Sequence, residues 1–115
     1  MRIRTETGNG THQIELAGRF DAHELTAFRA AIDPLLRDGD SVDLDLGQVV
    51  FVDSSALAEL VRAQKSAHAG GGTLVMTALS DPVRVILELT ALSQVFTIRT
   101  HGAGSGSSAL AVTAQ

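Results

Sequence analysis

The 115 residues include nine Lys and Arg against thirteen Asp and Glu, a net charge of −4, with 44% hydrophobic and 19% charged residues. That is enough chain for one globular domain with its own core, and too apolar for a disordered one. The acidic balance, four Phe with no Trp or Tyr, and no cysteine argue against a nucleic-acid surface, base stacking, disulfides, thiolate nucleophiles and cysteine-type zinc sites. The opening MRIRTETGNG lacks the apolar core of a signal peptide, and no apolar run reaches membrane-spanning length. A cytoplasmic domain without membrane insertion is the expectation.

Taken in order, Ile3 to Thr7 and Gln13 to Ala17 read as short strands on either side of Asn9-Gly10, a hairpin signal. Gly18-Arg19-Phe20-Asp21 then breaks the strand pattern. Asp21 and Glu24 have the spacing of a capping box, and Leu25, Phe28, Ile32, Leu35 and Leu36 form a helical stripe that Asp38-Gly39-Asp40 ends. Val42, Leu44 and Leu46 alternate with Asp43, Asp45 and Gly47, so this strand has one apolar and one polar face, and helices should cover mainly one side of the sheet.

Val49 to Leu60, VVFVDSSALAEL, is the stretch that concentrates the chemistry. Its apolar start reads as a buried strand end. Leu57, Leu60, Val61 and Gln64 then recur at helical spacing, with Glu59, Arg62 and Lys65 off that stripe. A serine hydroxyl therefore sits where a strand turns into a helix, beside unpaired backbone N–H groups. Gly70-Gly71-Gly72 reads as a flexible helix stop and Thr73 to Thr77 as the next strand. Ser80-Asp81-Pro82 opens a third helix running through Leu92, apolar on two sides: Val83, Ile86 and Leu87, and also Val85, Leu89 and Leu92. One side suits the core; the other is a minor apolar patch or a partner surface. Val95 to Arg99 reads as a last strand, and residues 101–115 as a Gly/Ser-rich tail that can end in a short helix near Ala109 to Thr113. The order ββαβαβαβ implies a single α/β domain with a mixed sheet, its strands mostly parallel after the first hairpin.

From position alone, Ser54 and Ser55 are favoured as helix caps, Asp53 as helix-start charge, and Asp21 as either a cap or a partner-facing acid. His12, His23, His68 and His101 show no ligand spacing, so no metal is expected. Ser54 is flanked by Val52 and Ala56 rather than the glycines of a nucleophile elbow, and the glycine clusters lack a P-loop lysine.

The strand VDLDLGQVV followed by FVDSSALAEL, preceded by GRFD at 18–21 and followed by SDPVRVILELTAL, resembles the STAS domain of anti-sigma factor antagonists over about residues 1 to 100. That resemblance implies that the serine after the aspartate of the D-S-S/T-G-L-G motif, here Ser54, is a phosphorylated switch. The acidic position of the family's G-x-x-D then falls on Asp21. Ala56 and Ala58 stand where the motif has glycines; alanine is the better helix former by roughly 1 kcal/mol, so the change bears on kinase docking rather than on the fold. The resemblance makes Ser54 an acceptor while Ser55 keeps the capping reading of its position, and it implies a partner surface of Asp21, Asp53, Ser54, Ser55, Ala56, Leu57 and Glu59. It implies a non-enzymatic monomer or weak dimer without a cofactor. Its partners would be an anti-sigma factor of the histidine-kinase-like ATPase type, which uses its own ATP and magnesium, and a PP2C-type phosphatase. A STAS-type subunit of a lipid-transport ATPase complex, without a phosphorylation cycle, is the alternative, and a small nucleotide- or lipid-binding module a third.

Overall fold

The computed structural model describes residues 1–99; the expected tail and terminal helix lie outside them. Five strands form one sheet in the order β1 (Arg2–Thr7), β2 (Thr11–Phe20), β3 (Ser41–Val52), β4 (Thr73–Leu79) and β5 (Thr97–Ile98). β1 and β2 pair antiparallel, with Thr7 opposite His12 and Gly10 at φ 75° in the turn between them. The other neighbours are parallel, joined through α1 (Leu25–Arg37), α2 (Ser54–Ala69) and α3 (Asp81–Leu89). Each crossover steps one strand in the same direction. Right-handed crossovers of that kind leave all three helices on one face of the sheet.

The side chains obey that geometry. Ile14, Leu16, Val42, Leu44, Leu46, Leu74 and Met76 point inward from the strands to meet Phe28, Ile32 and Leu36 of α1, Leu57 and Leu60 of α2, and Val83 and Leu87 of α3 in one core. The opposite face carries Gln13, Glu15, Asp43, Asp45 and Thr77, which with Arg4, Glu6 and Ile14 line an open depression. Phe20 and Phe28 meet with ring centroids 5.0 Å apart where β2 runs into α1.

Several expectations are corrected. Gly18-Arg19-Phe20 does not break the second strand. Gly18 takes φ 103° and the register with β3 shifts beside it, so the glycine makes a bulge and the strand continues to the fully buried Phe20. The apolar run of β3 is only partly buried. Val49 pairs with Gly18 and Phe51 with Arg19, leaving Val50 as the extra residue of that bulge, 65% exposed. The inward stripe of α2 is Ala56, Leu57, Glu59, Leu60, Ala63 and Ala67, whereas Val61 and Gln64 are half-buried; three small alanines supply the contact that a larger-residue reading of the helix overlooks. α3 stops at Leu89, not Leu92, where the Thr90 hydroxyl donates to the Ile86 carbonyl at 2.6 Å and Ala91 turns left-handed at φ 60°. Leu92 falls in the following 3₁₀ turn, Leu92–Gln94, still packed on the core. Of the two sides of α3, Val83 and Leu87 are buried while Val85 and Leu89 are exposed.

The triple glycine is not merely a flexible stop. Gly71 takes φ 85°, but Gly72 and Gly70 are required by proximity. A Cβ on Gly72 would run into the carbonyl oxygen of Asp40, and one on Gly70 would lie 2.6 Å from that of Leu36. The α1–β3 and α2–β4 turns are therefore pressed backbone to backbone.

Candidate functional site

The β3–α2 junction is built by Asp53. Its extended backbone (φ −103°, ψ 178°) ends the strand, and its Oδ1 accepts from the Ala56 N–H at 2.8 Å, so Asp53 is the N-cap of α2. Ser54 is the first helical residue and is exposed; Ser55 follows, half-buried. The expected capping role of Ser55 is thus corrected: the aspartate two residues earlier already occupies the cap. With Ala56 N–H taken by the cap and Leu57 N–H bonded to the Asp53 carbonyl at 3.0 Å, the N–H groups of Ser54 and Ser55 are those that the helix leaves without an internal partner.

The second oxygen of Asp53 reaches another segment. Oδ2 accepts from the Ala22 N–H at 3.1 Å, and the Asp53 N–H donates to the Phe20 carbonyl at 3.3 Å. These bonds bring the end of β2 and the 3₁₀ turn Ala22–Glu24 against the start of α2. Asp21 caps that turn, its Oδ1 accepting from the His23 N–H at 3.0 Å; it also faces the His23 ring and, more loosely, the Arg19 guanidinium at 3.8 Å. Glu24 does not complete a capping box. Its carboxylate lies 3.6 Å from the N-terminal ammonium instead. Asp21, Asp53 and Ser54 are therefore neighbours, although Asp21 is 32 positions from Asp53 in the chain.

Beyond this junction the surface is mixed. Arg19 lies over the Phe51 ring, 4.1 Å from its centroid, with Val50 exposed beside it. None of Arg19, His23, Val50 or Phe51 stands out in the sequence as a site residue. The strand bulge that exposes the apolar pair has no signal beyond Gly18, and the partner of Arg19 is set by register.

Three expected surface residues turn inward. Ala56 and Leu57 belong to the core, at 0% and 8% exposure, and Glu59 is 2% exposed. Their side chains support the junction from beneath rather than face a partner. Glu59 is buried because it has two cationic partners. Its Oε1 accepts from Arg29 Nε at 2.8 Å, and its Oε2 from Arg62 Nε and Nη2 at 2.8 and 2.6 Å. Arg62 Nη2 also donates to Asp33 at 2.8 Å, so the cluster ties α1 to α2. Burial is the largest single influence on the Glu59 carboxyl and pushes its pKa up. The hydrogen bonds from Arg62 and Arg29 and their charges together outweigh it and hold the group below the usual carboxylate range. The bonds to Glu59 and then to Asp33 raise Arg62 in turn.

The chain belongs to the STAS domain family: the family model described as "Mlab, STAS domain" matches residues 3–100. Among curated relatives it is similar to the anti-sigma-B factor antagonist of Listeria monocytogenes, 31% identical over 87 residues that make up 75% of this chain and 76% of that one. The anti-sigma-B factor antagonist of Bacillus subtilis is 26% identical over 92 residues, 80% of this chain and 84% of the relative. Among solved structures, the anti-sigma factor antagonist SpoIIAA in its unphosphorylated form superposes with a TM-score of 0.73 at 20% identity, covering 88% of this chain and 89% of that one. The phosphorylated form of SpoIIAA, from Bacillus, gives 0.69 at 19% identity over 88% and 92%. At those identities the structures establish the shared fold, a mixed sheet with three helices.

Proposed function

We propose that this protein is an anti-sigma factor antagonist whose binding is switched off by phosphorylation of Ser54. The observation that carries the reading is the Ser54 hydroxyl itself: exposed at the start of α2, with the cap supplied by Asp53 instead, in a domain whose curated relatives are named anti-sigma factor antagonists. In its unmodified form the domain binds an anti-sigma factor of the histidine-kinase-like ATPase type and releases the sigma factor. That partner, using its own ATP and magnesium, transfers the γ-phosphoryl group to the Ser54 oxygen; the hydroxyl proton leaves and ADP departs. A PP2C-type phosphatase hydrolyses the ester and restores the hydroxyl. The chain contributes an acceptor and a docking surface, with Asp21, Asp53, Ser54 and Ser55 at its centre, and catalyses nothing itself.

The physics favours occlusion over refolding. A phosphate adds about −1.5 to −2 charges. The open N–H groups and dipole of the α2 N-terminus accept an anion there, while the carboxylates of Asp53 and Asp21 oppose it. These influences offset, so the domain stays folded. A partner packed over Ser54 would have to desolvate the dianion, which is costly.

Ser54→Ala should bind the anti-sigma factor constitutively and take no phosphate, and Ser54→Asp should bind at least about tenfold more weakly, a loss of about 1.4 kcal/mol, in a titration against the purified partner. Ser54→Asp binding as tightly as wild type would contradict the switch. A STAS-type transporter subunit would instead give a tightly co-purifying transporter ATPase that Ser54→Ala and wild type retain equally.

A further inference from the structure

We infer that Asp53 is a positioning residue for the Ser54 hydroxyl: it caps α2 so that Ser54 does not, and ties the Ser54 turn to the Asp21 turn. The inference deepens the reading of Ser54 as a phosphoacceptor and rests on it. Asp53 Oδ1 holds the Ala56 N–H at 2.8 Å and Oδ2 holds the Ala22 N–H at 3.1 Å, while its own N–H donates to Phe20 at 3.3 Å. A serine is itself a preferred cap, and its hydroxyl competes readily for nearby backbone donors. If residue 53 offered no acceptor, the adjoining Ser54 hydroxyl would be free to bond the released N–H groups, and a hydroxyl folded back onto its own helix is no longer presented to a kinase. The Ala22 bond fixes a second coordinate, because it holds Asp21 and the 3₁₀ turn at a set distance from the α2 start.

Doing both at once calls for a carboxylate, with two acceptor oxygens for two N–H groups. Asparagine keeps one acceptor and would turn an amide against the Ala22 N–H. Serine keeps a capping oxygen on a shorter arm. Each variant therefore preserves the helix cap and releases the second turn.

Backbone amide hydrogen exchange of wild type, Asp53→Asn and Asp53→Ser, read together with phosphate occupancy at Ser54 in full-length protein recovered from its host, tests the inference. In both variants the Ala22 amide should exchange at least about tenfold faster, the equivalent of one lost hydrogen bond, while Ala56 and the β3 amides keep wild-type protection. Ser54 occupancy should fall several-fold. A residue that served stability alone would lower protection across the whole domain, and that result would overturn the positioning role. Unchanged Ala22 exchange in both variants, or full Ser54 occupancy despite a released Ala22, would overturn it as well. Wild-type protein without phosphate under every condition would instead overturn the phosphoacceptor reading, and faster Ala22 exchange in the variants would then show that the tie between the two turns stands by itself.

Discussion

At the scale of single residues, Glu59 shows how a charge is kept inside this domain. Both of its oxygens are occupied by guanidinium donors from two helices, so replacing it strands two cations rather than removing one acid. Arg29 and Arg62 are each partly exposed, which screens the loss; Glu59→Gln should therefore cost about 2 kcal/mol, between the values for exposed and buried pairs. The pH dependence has a definite sign. The Glu59 carboxyl titrates below its ordinary 4.5 in the folded domain, so its contribution is complete above that pH and is lost as the pH falls through the lowered folded value. Urea denaturation should show the gap between wild type and Glu59→Gln in full at about pH 7 and much reduced at about pH 3. A gap that stayed constant would mean that the carboxylate is not what holds the two arginines.

That residue also marks the limit of what is legible in the sequence. Glu59 and Arg62 stand three apart on a helix and could be paired on paper, but Arg29 lies 30 positions earlier and only tertiary packing brings it there. The same holds for Asp53. Its place before a helix is plain from its neighbours, and a charge role at the helix start was expected, yet two adjacent serines obscured which of three residues caps it. The Ala22 bond, made to a backbone N–H with no side-chain signal, could not be read at all. Ser54 is different: the strand–turn–helix pattern placed it at the α2 start without any structure.

At the scale of elements, alternation and helical periodicity place β2 to β4 and the three α-helices in order, because each of these has one buried face, while β1, which has no buried residue, is marked by the Asn9-Gly10 turn that follows it. What they missed were the points where backbone geometry, not side-chain polarity, decides: the Gly18 bulge, the 3₁₀ turns Ala22–Glu24 and Leu92–Gln94, and the left-handed Ala91 that ends α3 early; the last strand is present but shorter than expected, Thr97–Ile98 within Val95 to Arg99. The contact between the α1–β3 and α2–β4 turns belongs here too. Gly10 and Gly72 separate two reasons for glycine. Gly10 has φ 75° with open space where a Cβ would stand, whereas a Cβ on Gly72 would meet the carbonyl of Asp40 and the backbone of Gly39. Gly10→Ala should cost about 1 kcal/mol from backbone strain alone, and Gly72→Ala more than about 2 kcal/mol, because two turns must separate. Thermal unfolding of the two variants would check that order; equal losses would show that the turns are not in register-fixing contact.

At the scale of the molecule, the one-sided arrangement of helices leaves the carboxyl ends of the parallel strands to carry the site. β2 and β3 end side by side, with Phe20 opposite Val52, and the 3₁₀ turn and α2 begin there. Asp21 and Ser54 therefore sit on the rim of a packed core and not on a loose loop. The exposed Val50 and Phe51 adjoin it, and no helix among the described residues is long and apolar enough to cross a membrane. The central claim is that Ser54 alternates between free and phosphorylated states. It is tested most directly by the intact mass of the protein recovered from its own host under several growth conditions, with peptide mapping of any added phosphate. The account predicts a single phosphate on Ser54 whose occupancy changes with condition. Phosphate confined to another residue, or protein unmodified under every condition, would contradict it.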